Sequence, residues 1–169
     1  MSIKITDGRG SAAHITSNDI VGKQQASLGT ESCVYAVGNK FAYTLVDNNT
    51  IEIADGEGSI YGCFWRILPE TVEEVTLTTG TQGVCRYDLI VARYTQDATG
   101  VESVSLAVLE GEEAASEEEA VAPGITEADI RDTVQTSEYA LYKVFINGIN
   151  VESVTSMMTV CHSLQTACK

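Results

Sequence analysis

Nucleophilic hydrolysis needs a serine or cysteine beside a general base. The 169-residue chain offers two histidines for that role, His14 and His162. His14 sits in a polar stretch, Ser11-Ala12-Ala13-His14-Ile15-Thr16, and His162 lies near the C-terminus. Neither is accompanied by a G-x-S-x-G nucleophile turn. Both are expected to be exposed or packed histidines. Paired carboxylates are a second route to hydrolysis, but 24 acidic residues make accidental pairs unavoidable. One pattern stands out, Arg86-x-Asp88. Side chains two apart on a strand point to the same face. Arg86 and Asp88 are therefore expected to form a structural ion pair at a sheet end, without a catalytic role.

The cysteines are Cys33, Cys63, Cys85, Cys161 and Cys168. Their number is odd and no two have C-x-x-C spacing. Cys33, Cys63 and Cys85 border apolar stretches, so the expectation is buried free thiols acting as small hydrophobes, in a chain made in a reducing cytoplasm. The spacing does not suit zinc. Gly80-Thr81-Gln82-Gly83 is not followed by the Gly-Lys-Ser or Gly-Lys-Thr of a phosphate loop. Asp47-Asn48-Asn49 and Asp55-Gly56 do not follow the spacing of a calcium loop; turn chemistry accounts for them. No catalytic, cofactor-binding or metal residue is assigned, and no cofactor is expected. Tyr61, Phe64, Trp65, Tyr87 and Tyr94 could stack on sugars. Alternation along strands puts most of them in a core instead. A carbohydrate-binding module is thus the alternative function.

The elements that would carry these residues are mostly strands. Phe41–Val46 and Thr50–Ile53 flank the polar Asp47-Asn48-Asn49 and read as a hairpin. Asp55-Gly56-Glu57-Gly58 reads as the next turn. Ser59–Ile67 reads as a third strand, with Gly62 marking a bulge or a close backbone approach, ended by Pro69. Val72–Thr78 alternates like a half-exposed strand. Arg86–Tyr94 is apolar on both faces, as a central strand should be. Val101–Leu109 reads as another buried strand. Tyr139–Ile146, the Asn147-Gly148 turn and Ile149–Thr155 complete a further hairpin. Two short helices are expected, one over Thr126–Asp132 capped by Thr126 and one over Ile20–Leu28. Met157, Val160, Cys161 and Leu164 have the spacing of an amphipathic C-terminal helix. Together these elements predict an all-β chain, an antiparallel β-sandwich of jelly-roll type with one or two short helices. Residues 1–155 would form the sandwich and 156–169 a tail.

Ten Lys and Arg against 24 Asp and Glu leave a net charge of −14. Such a surface repels phosphate, which excludes nucleic acid and anionic membranes as partners. Residues 110–119 alone hold six glutamates. Like charges at that density oppose compaction, so 110–122 is expected to be an exposed, mobile loop. No apolar run reaches the roughly 18 residues of a membrane helix, and Met1–Asp7 lacks the apolar core of a signal peptide.

One ordered series of motifs remains. Gly62-Cys63-Phe64-Trp65-Arg66-Ile67 is followed by Thr79-Gly80-Thr81-Gln82-Gly83, and then by Arg86-Tyr87-Asp88-Leu89-Ile90-Val91-Ala92-Arg93-Tyr94. Gly100–Val104 then leads to Val108-Leu109-Glu110-Gly111, followed by Pro123, Asp129-Ile130, Tyr139–Val144 and Asn147-Gly148-Ile149. This order resembles tail and baseplate structural proteins of phages and prophages of Gram-positive bacteria. There an R-x-D-x-[IV]-V-x-R strand precedes an apolar return strand ending in Gly and a Pro-containing loop. The resemblance covers about Ala13 to Thr155. It implies a homo-oligomer, often a trimer, at a tail tip, fibre or baseplate, and no catalytic residues. Its partners would be itself and other tail proteins, with a host surface glycan as a further candidate. The protein would be made in the bacterial cytoplasm and reside in the virion tail. The chain ends soon after the matched stretch and lacks an iron-binding H-x-H pair, so the expectation is an adaptor or a small tail-associated protein, not the receptor reader. The stripe Met157, Val160, Leu164 is the candidate interface, with folding back on the chain's own sheet as the equal alternative.

Overall fold

A computed structural model describes Thr6, residues 15–132 and residues 134–161. His14, His162, Leu164 and Cys168 lie outside the described residues. The elements in order are helix α1 (Ser17–Leu28), strands β1 (Cys33–Gly38), β2 (Tyr43–Leu45), β3 (Thr50–Ile60), β4 (Cys63–Thr76), β5 (Cys85–Gln96) and β6 (Glu102–Leu109), a 3-10 turn at Ile130–Asp132, then β7 (Thr136–Asn147), β8 (Asn150–Ser156) and β9 (Val160–Cys161). The fold is an all-β sandwich of two packed sheets, as the strand periodicity predicts.

In the first sheet β4 runs antiparallel along the whole of β3. The other side of β3 is shared by β2, opposite Ile51–Ile53, and β1, opposite Gly56–Ser59. Strand β9 lies outside β1 and pairs with it in parallel, Val34 opposite Val160 and Tyr35 opposite Cys161. That parallel pair departs from the expected all-antiparallel arrangement. The second sheet has the order β6-β5-β7-β8, all antiparallel. The chain therefore completes β1–β4 in one sheet before building β5–β8 in the other, and β9 returns to the first.

Several boundaries differ from the sequence reading. Asp55-Gly56-Glu57-Gly58 is not a turn but the middle of β3. Its glycines make room for Phe41. A Cβ on Gly56 would lie 2.6 Å from the Phe41 backbone nitrogen and 2.9 Å from its ring. Phe41 enters that space at φ 58, a left-handed conformation that costs a bulky residue of order 1–3 kcal/mol. Contacts hold it there. Its N–H donates to the Asp55 carbonyl (3.2 Å), its carbonyl accepts from Tyr142 Oη of the opposite sheet (2.8 Å), and its ring stacks on Trp65 (4.4 Å, 8°). The real turn after β3 is Tyr61-Gly62, both at positive φ (45° and 87°), the pair a tight hairpin requires. Gly62 packs beneath α1, where a Cβ would lie 2.9 Å from the Val21 carbonyl oxygen.

Pro69 does not end its strand. Ile67 pairs with Gly56 and Val72 with Ala54, so Leu68–Thr71 bulge out opposite Asp55, and the proline sits where no ladder N–H is needed. β5 is buried on both faces, as predicted, but β6 is a half-exposed edge strand and not a buried one. Over Thr126–Asp132 only the 3-10 turn forms. The Glu138 N–H of β7 donates to the Thr126 carbonyl (2.7 Å), and the Ser137 hydroxyl donates to the Ala128 carbonyl (2.8 Å), so the carbonyls a helix would use are committed to β7. The helix expected over Ile20–Leu28 is present and begins earlier, at Ser17. Asp19 accepts the Thr16 N–H at 2.7 Å and satisfies one of the donors at its start. Among the described residues no helix is long and apolar enough to cross a membrane.

Candidate functional site

Arg86 and Asp88 begin β5, the central strand of the second sheet, and alternation turns both the same way. Arg86 Nε donates to Asp88 Oδ1 (2.9 Å) and Nη2 to Oδ2 (3.2 Å). The side chains are 3% and 0% exposed. Arg86 Nη2 also donates to the Thr78 carbonyl (2.6 Å), just beyond β4, and Asp88 Oδ1 accepts the Gly111 N–H (3.1 Å), just beyond β6. Burial works against the Arg86 charge, but hydrogen bonding and Coulomb attraction to Asp88, aided by Glu110 and Glu113, outweigh it and raise its pKa. The pair is thus a charged latch that joins β5 to two connecting segments.

The acidic segment starts at that latch. Its glutamates are exposed, as expected, but the backbone is tethered, which the expectation of a mobile loop did not include. Cys85 and Ala114 exchange two backbone hydrogen bonds (2.9 and 2.8 Å), and Tyr87 Oη donates to Glu117 (2.7 Å). Lys143 stands 4.5 Å from the centre of the Tyr87 ring. One cation and one hydroxyl thus offset part of the repulsion that composition alone implies.

The C-terminal stripe is not helical as far as it is described. Met157–Thr159 is an extended connection leading into β9. Met157 and Val160 are exposed (47% and 43%). The reason for the extended path is covalent: Cys161 forms a disulfide with Cys33, their Cα atoms 5.8 Å apart. The Val34 N–H donates to the Thr159 carbonyl beside it (2.8 Å). This corrects the free-thiol reading for two cysteines. Cys63 and Cys85 are free, and burial raises the Cys63 thiol above its ordinary pKa.

The five candidate stacking rings do not form a common platform. Trp65 and Tyr94 are buried, Phe64 is exposed and stacks on Tyr35, Tyr87 leans on Phe145, and Tyr61 lies elsewhere. The first sheet instead carries exposed aliphatic and aromatic groups, with Val37 on β1 and Phe64, Leu68 and Val72 on β4.

Tyr61 opens onto a cavity of about 440 Å³, walled also by Glu31, Glu127, Tyr139, Met157 and Thr159. Tyr139 Oη accepts the Thr159 N–H (2.8 Å) and fixes one wall. Behind Tyr61, buried Gln25 donates to the Tyr61 carbonyl (2.6 Å) and to Asp129 (3.1 Å), while its Oε1 has no partner. Asp129 is held in turn by Arg131 (2.7 Å). Burial raises the Tyr61 hydroxyl pKa, and Glu127, Asp129 and Glu31 add to the rise. Sequence reasoning missed this cavity because five separated segments build it. The only local signal was Tyr61 beside Gly62.

No protein-family model matches the chain, and no curated protein matches it.

Proposed function

We propose that the protein is a non-enzymatic structural module of a phage or prophage tail, a baseplate or fibre adaptor acting through homo-oligomeric and partner interfaces. The order of its motifs supports the tail context. One observation carries the interface reading: Val37, Phe64, Leu68 and Val72 are exposed together on the first sheet, with Met157 and Val160 on the returning chain. Exposed apolar groups concentrated on one sheet mark contact surfaces, and a stable contact removes roughly 1,600 Å² from water in total. The strand edges support contact by the face. Arg66, Glu73 and Glu74 on β4 and the Leu68–Thr71 bulge guard that edge against strand addition.

Light scattering on the purified chain, across a hundredfold range of concentration, tests this. A defined oligomer that Phe64→Glu with Val72→Glu dissociates is the expected result. A monomer throughout the range overturns the homo-oligomeric reading.

A further inference from the structure

We propose that the cavity walled by Tyr61, Tyr139, Glu31 and Glu127 is a binding site for an aliphatic ammonium group, as carried by a free diamine or a lysine side chain.

The walls supply the two things such a group needs. Tyr61 and Tyr139 offer aromatic surface to the methylene chain and the cation. Glu31 and Glu127 offer negative charge, and no described residue forms an ion pair with them. Arg131, four residues beyond Glu127, is bound to Asp129 through both Nε and Nη2 (3.2 and 2.7 Å). The effect of Glu127, Asp129 and Glu31 on the Tyr61 hydroxyl reports their negative charge.

Size and shape favour an organic cation over a bare metal ion. About 440 Å³ is many times the volume of an ion, and among the described residues no three potential ligands converge as a metal requires. The walls are also braced. Ser32 precedes Cys33 and Thr159 lies two residues before Cys161, so the Cys33–Cys161 disulfide clamps two of them together. Buried Gln25 fixes Tyr61 from behind through its carbonyl. Preorganised walls lower the ordering cost of binding. The inference does not depend on the tail assignment, because it rests on the chemistry of the cavity alone.

The test is a titration of the 15N-labelled full chain at physiological salt, followed by amide shifts. The probes are 1,4-diaminobutane, N-acetyl-lysine N-methylamide, and butyrate as the charge-reversed control. Saturable shifts centred on Tyr61, Glu127, Tyr139 and Thr159 are expected with an amine, and none with butyrate. A response to the diamine alone indicates a free amine, and a response to the lysine derivative alone a protein side chain; either supports the site. Glu31→Gln with Glu127→Gln should weaken binding about tenfold and Tyr61→Leu about threefold. Both glutamates are exposed, so the first variant leaves the core untouched. Shifts that do not saturate, that spread equally over residues 112–119, or that survive loss of both glutamates overturn the proposal, as does no response to either amine.

Discussion

The guanidinium of Arg86 and the carboxylate of Asp88, two residues apart on β5, are joined by two hydrogen bonds of 2.9 and 3.2 Å and are almost wholly buried. Each also holds a distant segment, Arg86 at the Thr78 carbonyl and Asp88 at the Gly111 N–H. Removing one partner strands the other charge in the interior, which costs about 3–5 kcal/mol. Arg86→Met and Asp88→Leu should each lower stability by that amount in urea unfolding. The double variant should lose less than either single one, because no unpaired charge remains. A double-variant loss equal to the sum of the two singles would show that the residues act independently.

The Cys33–Cys161 disulfide closes a loop spanning 128 residues. A link that long constrains the unfolded chain strongly, and the chain-entropy relation gives about 4–5 kcal/mol. Cys33→Ser with Cys161→Ser should therefore lower the unfolding midpoint markedly, while Cys63→Ser should not. Peptide mapping without reduction should recover the Cys33 and Cys161 peptides as one linked mass.

Phe41 fills the space above Gly56, and its backbone nitrogen would lie 2.6 Å from a Cβ placed there. Backbone cannot swing aside as a long side chain can, so Gly56→Ala overpacks the interior at a cost of about 1–3 kcal/mol. Phe41→Ala removes the ring stacked on Trp65 and leaves a cavity, with a loss of about 3–5 kcal/mol. The left-handed φ of Phe41 returns part of that loss if glycine replaces it, so Phe41→Gly should cost little more than Phe41→Ala despite the smaller side chain. Thermal unfolding of the three variants checks the order.

What could be read in advance was local and periodic. The Arg86–Asp88 pair follows from a spacing of two on a strand, and the hairpin between β7 and β8 follows from Asn147-Gly148. What could not be read depends on partners far along the chain. Gly56 and Gly58 look like turn residues until Phe41 occupies the space they leave. Thr126 looks like a helix cap until the Glu138 N–H occupies its carbonyl. Val160 and Cys161 look like one face of a helix until Cys33, at the other end of the sandwich sequence, draws them into β9. The cavity at Tyr61 is the extreme case, since none of its walls is a motif alone.

Asp129 gives the fold a measurable acid transition. The Arg131 side chain, foremost, bonds its carboxylate and lowers the pKa; burial, next in size, raises it; the Arg131 N–H and Gln25 lower it further, and the pKa falls from 3.8 to about 2. A depressed carboxyl pKa stabilises the fold fully above the unfolded value, and that contribution disappears as pH falls through the folded value. Stability linked to Asp129 should thus be complete above about pH 4 and decline between pH 4 and pH 2. Following the Asp129 side-chain carbonyl by 13C NMR should give a midpoint of about 2. Arg131→Ala removes the largest cause, so its midpoint should rise toward 3.8 and its stability should fall less steeply over that range. An unchanged midpoint in Arg131→Ala would assign the shift to Gln25 and the local backbone instead.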